Sequence, residues 1–255
     1  MSKKTQTWNF KITNSSNFIS FLKKLKLVDK SVPLEIEGGN LFAKVRTPDK
    51  SVIKYVSVDL NDTLEGDFPP NRLKIGLMEV GKVIDVFKYF NTEEEIRIKV
   101  DSQVYEGDLI ATNLNFSSTS LEIDIRCADI SLLAYIDDSI QKRIHSTEGS
   151  EISFIMSKDM FQKVSSLTGI DSNSEELLHF DIHEKGVSVR GRSFKKHIMQ
   201  DETASGYKNP IVYIIYKNQF SFIDQETSEI HFHENRMIVK SLESDSFIAI
   251  GLVEF

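Results

Sequence analysis

"FKYFNTEEEIRIKV", Phe87–Val100, has a counterpart in "FSFIDQETSEIHFH", Phe220–His233. Each begins Phe-x-aromatic and passes through an Asn or Asp and a Glu. Each then reaches a Glu-Ile that starts an alternating polar and apolar run, with one residue of slippage between the copies. Self-similarity at a long interval marks a duplicated unit, and missing it misassigns the whole chain. Further out, "FKIT" (Phe10–Thr13) and "FIMS" (Phe154–Ser157) each lead into a helical pattern. The chain therefore reads as two repeats, each a strand, a helix, several strands, a second helix and several more strands.

Four segments carry helical spacing. In Ser16–Val28, Phe18, Leu22 and Leu25 fall at i, i+4, i+7, with Asn14, Ser15 and Ser16 as N-caps. Glu79–Phe90 has the apolar stripe Val80, Val83, Ile84 and Phe87. Lys158–Thr168 is capped by Ser157 and closed by Gly169, with Met160, Phe161, Val164 and Leu167 inward. A short fourth helix is expected at Lys217–Phe222. The rest alternates with period two: Val52–Leu60, Glu95–Val100, Ser120–Arg126, Leu177–His183 and Gly186–Arg192, plus a hairpin about Gly38-Gly39. A length of 255 residues accommodates two ordinary domains. The expected division is 1–130 and 151–255, joined by a connector at 131–150, whose small polar end and lack of steady period set it apart. The fold class is α+β, with helices on one face of antiparallel sheets.

Composition excludes several functions. No apolar run approaches the roughly 20 residues that span a bilayer, and the start MSKKTQTWNF has no apolar h-region, so neither membrane insertion nor a signal peptide is expected. Cys127 is the only cysteine, which suits a reducing, cytoplasmic setting, and it is expected to be buried and inert. His231 and His233 share one strand face, but a metal needs further ligands, so no metal or cofactor is expected. No phosphate-binding glycine loop or nucleophile elbow is present, and the chain is not expected to be an enzyme.

Charge is where the sequence departs from the average. The net charge is −7, yet Met1 to Val28 contains no Asp or Glu and carries Lys3, Lys4, Lys11, Lys23, Lys24 and Lys26. Six positive charges there leave −13 for the remainder. Acids gather instead at Asp59, Asp62, Glu65 and Asp67, at Glu93 to Glu95, at Asp137 and Asp138, at Glu175 and Glu176, and at Asp201 and Glu202. Each helix also turns lysines away from its apolar stripe. Lysines without neighbouring carboxylates attract phosphate regardless of base sequence. The bland account is that these lysines only solvate outward faces, and Asp85 and Asp159 on the same faces favour it. The run "RGRSFKKH" (Arg190–His197) could equally touch phosphate or pair with acidic neighbours.

This order of elements resembles the DNA sliding clamps, above all those of tailed bacteriophages and, more distantly, proliferating cell nuclear antigen. "MSKDMFQKVSSL", "LLHFDIHEKGVSVRGRSF", "VYIIYKNQFSFID" and "EIHFHENRMIVKSLESDSFIAIGLVEF" follow a clamp domain to its last strand. "NFISFLKKLKL", "PLEIEGGNLFAKVRT" and "LMEVGKVIDVFKYF" do so in the first half. The resemblance implies two clamp domains in a closed head-to-tail homotrimer, with helices lining a hole that encircles duplex DNA. The implied function is a polymerase processivity factor, viral and acting in the host cytoplasm, with DNA polymerase and a clamp loader as partners. It implies DNA contacts at Lys23, Lys24, Lys26, Lys82, Lys88, Lys158, Lys163 and Lys217. It also implies a partner pocket built from Leu132, Leu133, Tyr135 and Ile136 of the connector with Ile250, Leu252 and Val253. Two alternatives stay open: a β-rich virion structural protein, such as a baseplate or tail component, and a monomeric DNA-binding processivity factor.

Overall fold

The computed structural model describes residues 5–91, 94–170 and 176–253. Lys3, Lys4, Glu93 and Glu175 lie outside the described residues. The chain forms two compact units, one of residues 1–46 and 55–137, the other of residues 47–54 and 138–255.

The first unit runs β1 (Thr5–Ile12), α1 (Ser15–Lys26), β2 (Val32–Glu37), β3 (Asn40–Arg46), β4 (Val52–Asp59), β5 (Leu64–Gly66), β6 (Leu73–Leu77), α2 (Val80–Val86), β7 (Arg97–Tyr105), β8 (Asp108–Ser117) and β9 (Glu122–Arg126). Strand β4 begins in the residues of the second unit and ends in the first. Neighbours follow the order β4-β3-β2-β6-β8-β7-β1-β5, with β9 pairing Asn113–Ser117 of β8 on the edge whose start pairs β6. The β2–β3 hairpin turns through Gly38 (φ 59) and Gly39 (φ 83), a left-handed pair that matches the twist of the strands it joins. Helix α1 starts where Asn14 accepts from the Asn17 amide at 3.0 Å. It buries Phe18, Phe21, Leu22 and Leu25, each contributing about 1.5–3 kcal/mol of transfer free energy.

The second unit runs α3 (Asp138–Ile144), β10 (Ile152–Met156), α4 (Lys158–Thr168), β11 (Leu177–His183), β12 (Gly186–Arg190), β13 (Lys195–Gln200), β14 (Ile211–Tyr216), α5 (Lys217–Phe220), β15 (Ser228–Phe232), β16 (Arg236–Ser241) and β17 (Asp245–Gly251). One sheet is ordered β13-β12-β11-β14, and β10-β15-β16-β17 are successive neighbours in the other. The Gly251 amide donates to the Ser51 carbonyl at 2.9 Å, which ties residues 47–54 into this unit. Lys54 is wholly buried there. Its ammonium lies 2.6 Å from Asp224 and 3.1 Å from the Phe222 carbonyl, and Ser246 donates to the other Asp224 oxygen.

Apart from β5 and α3, the order of elements is the same in both units. The repeat extends to side chains. The fourth residue of α1 is Phe18, whose ring lies 5.6 Å from Phe87. The fourth residue of α4 is Phe161, whose ring lies 5.9 Å from Phe220. Phe87 and Phe220 are the residues that open the two matching stretches, so both copies use that phenylalanine to close the first helix of the repeat against the segment of the second.

The connector region contains a helix not expected from sequence. α3 has no buried residue, and its apolar pair Ile140 and Ile144, at i, i+4, is too short a stripe to mark a helix in the sequence. Before it, Ile136 is drawn in because Lys44, itself buried, donates to its carbonyl at 3.4 Å. Lys44 also faces buried Glu35, which Arg72 meets at 3.1 Å. Burial pushes the Glu35 carboxyl up, against the opposing pull of Lys44 and Arg72. The Tyr135 ring is flanked by the Lys44 and Lys74 ammonium groups, 5.5 and 4.7 Å from its centroid.

Candidate nucleic-acid interface and partner groove

Helix α1 is the most strongly positive element. Lys23, Lys24 and Lys26 occupy its last turn, and no acid lies in its first. Cations at a helix C-terminus are favoured by the carbonyl ends of the backbone, which accounts locally for this placement. Lys23 and Lys26 are exposed, while Lys24 is half-buried. Lys26 lies across α2 at Gly81, its ammonium 3.2 Å from where a β-carbon there would stand. A side chain at that position would push the lysine aside.

The other expected lysines differ. In and just beyond α2 the charges cancel, because Lys82 pairs with Glu79 at 2.9 Å and Lys88 with Asp85 at 2.6 Å. On α4, Lys163 pairs with Asp159 at 2.5 Å, whereas Lys158 is exposed on the first turn. These local pairs are exposed and contribute little, so a phosphate can displace the acid. Lys217 departs furthest from expectation. Its side chain is only 12% exposed, and its ammonium lies 3.7 Å from Glu176. Its first role is to offset that carboxylate at the start of α5. The i, i+3 and i, i+4 pairs were readable from spacing alone. The Lys217–Glu176 pair, distant in sequence, was not.

The expected partner residues divide as well. Ile250 is fully buried in the core of the second unit, and Ile136 is 3% exposed, so neither can meet a partner. Leu252 packs on that same core, and the Val253 amide donates to the Ile214 carbonyl at 2.9 Å. The reason is visible in "SFIAIGLVEF": a continuous apolar run suits a strand buried on both faces as well as a docking surface. Leu133 and Tyr135 do line a groove of about 690 Å³. Its lining belongs wholly to the first unit: the β7–β8 turn, the β8 residues Ile110 to Thr112, Lys74, and the chain from Arg126 onward. The Cys127 amide donates to Thr112 and the Ala128 amide to Gly76, so the chain leaving β9 crosses towards β6 and forms one wall. Val104 and Tyr105 in the lining are 49% and 59% exposed, and neighbouring Leu132 is 76% exposed. The sequence signal for Val104 and Tyr105 was the apolar pair before the turn at Glu106-Gly107. Burial pushes the Cys127 thiol up to about 12, so it lines the groove as a neutral group.

The histidine pair is structural. His231 lies 3.3 Å from the Ser150 hydroxyl and 3.2 Å from Glu229, and burial holds His233 below the usual histidine range. Among the described residues, no group of three or more His, Cys, Asp or Glu could hold a metal ion. No described helix is long and apolar enough to cross a membrane.

No known family profile matches the sequence, and no curated protein matches it. Solved structures do. Proliferating cellular nuclear antigen from Entamoeba histolytica is 8% identical with a TM-score of 0.70, covering 97% of this chain and 99% of that one. The A. fulgidus PCNA bound to the C-terminal region of FEN-1 is 11% identical with a TM-score of 0.66, covering 97% and 99%. The DNA polymerase III beta chain of Streptococcus pneumoniae is 15% identical with a TM-score of 0.66, covering 97% of this chain and 65% of that one. The chain therefore has the sliding-clamp fold, α+β with two pseudo-repeated domains.

Proposed function

We propose that this protein is a DNA polymerase sliding clamp, a scaffold without catalytic activity that encircles duplex DNA and tethers the replicative polymerase. The observation that carries the reading is the lysine-bearing, acid-free α1 of an acidic chain, set in a twice-repeated clamp fold. Sliding requires attraction to phosphate without base readout, and lysines on a helix surface supply it. The inner surface is assigned to Lys23, Lys24, Lys26 and Lys158, with Lys82, Lys88 and Lys163 exchanging their acids for phosphate. Lys217 is assigned a supporting place beside them. The repeats correspond to 1–130 and 151–255, and three copies in head-to-tail contact close the ring, as heterologous contacts do when the rotation permits. The likeness to tailed-phage clamps supports a viral source and action in the host cytoplasm.

The test is topological. The protein, once loaded by its clamp loader, is expected to stay on nicked circular DNA and to run off when the circle is linearised, with a solution mass of three chains by light scattering. Equal retention on both forms would sink encirclement.

The partner site is assigned to the groove at Leu133 and Tyr135, with Val104, Tyr105 and Leu132 at its rim and an apolar segment of the polymerase or loader as occupant. Exposed aromatic and aliphatic anchors around a concavity are the usual core of such contacts. Tyr105→Ala combined with Leu132→Ala is expected to lower polymerase stimulation several-fold, with DNA retention and melting temperature unchanged. Unchanged stimulation would place the partner elsewhere.

A further inference from the structure

The run Arg190–His197 is divided by the fold. In the β12–β13 pair, Val189 sits opposite Lys196 and Arg190 opposite Lys195. Side chains alternate across a strand, so Lys196 shares a face with Val189, and Arg190 and Lys195 share the other. Val189 is wholly buried in the core that contains Phe161 and Val164 of α4. Lys196 is thus on the helix side of the sheet. Because β13 ends its sheet, Lys196 is not trapped beneath α4. It emerges beside the helix and, with Gln162, Lys163 and Ser166, lines an open cleft of about 400 Å³. On the reverse face, Arg190 is engaged 3.3 Å from Asp181.

Arg192 is presented from a fixed turn. The Gly191 amide donates to the Phe194 carbonyl at 3.0 Å. A β-carbon on Gly191 would stand 2.5 Å from the Phe194 ring, so a larger residue there would have to displace that ring. Arg192 is 80% exposed, with its guanidinium 3.7 Å from Glu176, the carboxylate that also faces Lys217.

We propose that Lys196 and Arg192 are phosphate contacts of the DNA-binding surface in the second unit, and that Arg190 and Lys195 are not. The proposal rests on the sliding-clamp reading and extends its surface from helices to a strand edge and a turn. Lys196 stands beside the outward face of α4, and Arg192 stands near the start of α5, over the carboxylate it shares with Lys217. On α4, Lys163 is held only by an exposed acid it can release, and the Gln162 amide is a further donor. An acidic protein segment could meet the same cations, so the ligand offered in the test is DNA.

The experiment measures binding of fluorescein-labelled duplex DNA by anisotropy over a KCl series. Each lost phosphate contact lowers the slope of log K against log salt by about 0.9. R192A/K196A is expected to reduce the slope by about 2 and K196Q alone by about 1, while R190A/K195A leaves it unchanged. K23A/K24A/K26A serves as the check on the helix surface and should also reduce it. Solution mass is expected to match the parent protein in every variant, and melting temperature in all but R190A/K195A, where buried Asp181 loses its partner. If K23A/K24A/K26A lowers the slope and R192A/K196A does not, this inference fails and the clamp reading stands. Equal losses from R192A/K196A and R190A/K195A would mean a diffuse charge effect, and would overturn the division of the run. If no variant changes the slope, or the parent does not bind, the clamp surface itself is wrong and the inference falls with it.

Discussion

Reversing Lys23, Lys24 and Lys26 together (K23E/K24E/K26E) is expected to reduce clamp-stimulated DNA synthesis by about tenfold or more, because up to three phosphate contacts per chain become repulsive. The effect should be larger here than for the lysines of α2 or α4. Those helices carry acids that already neutralise Lys82, Lys88 and Lys163. Helix α1 has no acid of its own. Reversal has a second cost. Glutamates in the last turn oppose the backbone dipole, by about 0.3–1 kcal/mol each. The neutral series K23Q/K24Q/K26Q separates the two effects, since it removes the attraction without adding charges that oppose the dipole. Primer extension on a singly primed circle, beside thermal melting, provides the readout. A folded variant that still stimulates synthesis would remove α1 from the DNA surface.

The largest stability effect is expected from Asp224→Ala, at about 3–5 kcal/mol. The Lys54 ammonium is fully buried, and Asp224, 2.6 Å away, is the carboxylate that offsets it. Truncating the acid leaves a buried charge with the Phe222 carbonyl among its remaining contacts. Replacing both partners, Lys54→Met with Asp224→Leu, is expected to recover most of the loss, since two apolar groups of similar volume need no partner. Urea unfolding of both single variants and the double variant closes the cycle. A loss under about 1 kcal/mol in Asp224→Ala would show that water or a rearranged acid reaches Lys54.

Local signals carried much of the fold. Ser157 and Gly169 bracket α4 at the residues expected, and the Gly38-Gly39 hairpin formed as its turn chemistry required. The pairing of Phe18 with Phe87 and of Phe161 with Phe220 gives the repeat a packing reason that periodicity alone could only suggest. What escaped were relations between residues far apart in sequence. Glu176 reaches Lys217 and Arg192, and Lys44 draws Ile136 inward by its carbonyl. Neither is a pattern of spacing. The groove was half legible. Its connector side chains Leu133 and Tyr135 could be picked out, but Val104 and Tyr105 were not. Their strand register hides the fact that a turn tip projects beyond its neighbours. Ile250 misled because an unbroken apolar strand looks the same whether it meets a core or a partner.

The loan of residues 47–54 to the second unit bears on how such a molecule could have arisen and how it can be dissected. A gene cut at the connector would yield a latter half without Ser51 to receive the Gly251 amide and with Asp224 deprived of its lysine. The two halves are therefore not interchangeable cassettes. The second half depends on a stretch encoded inside the span of the first, and it cannot be excised whole by a single cut at the connector.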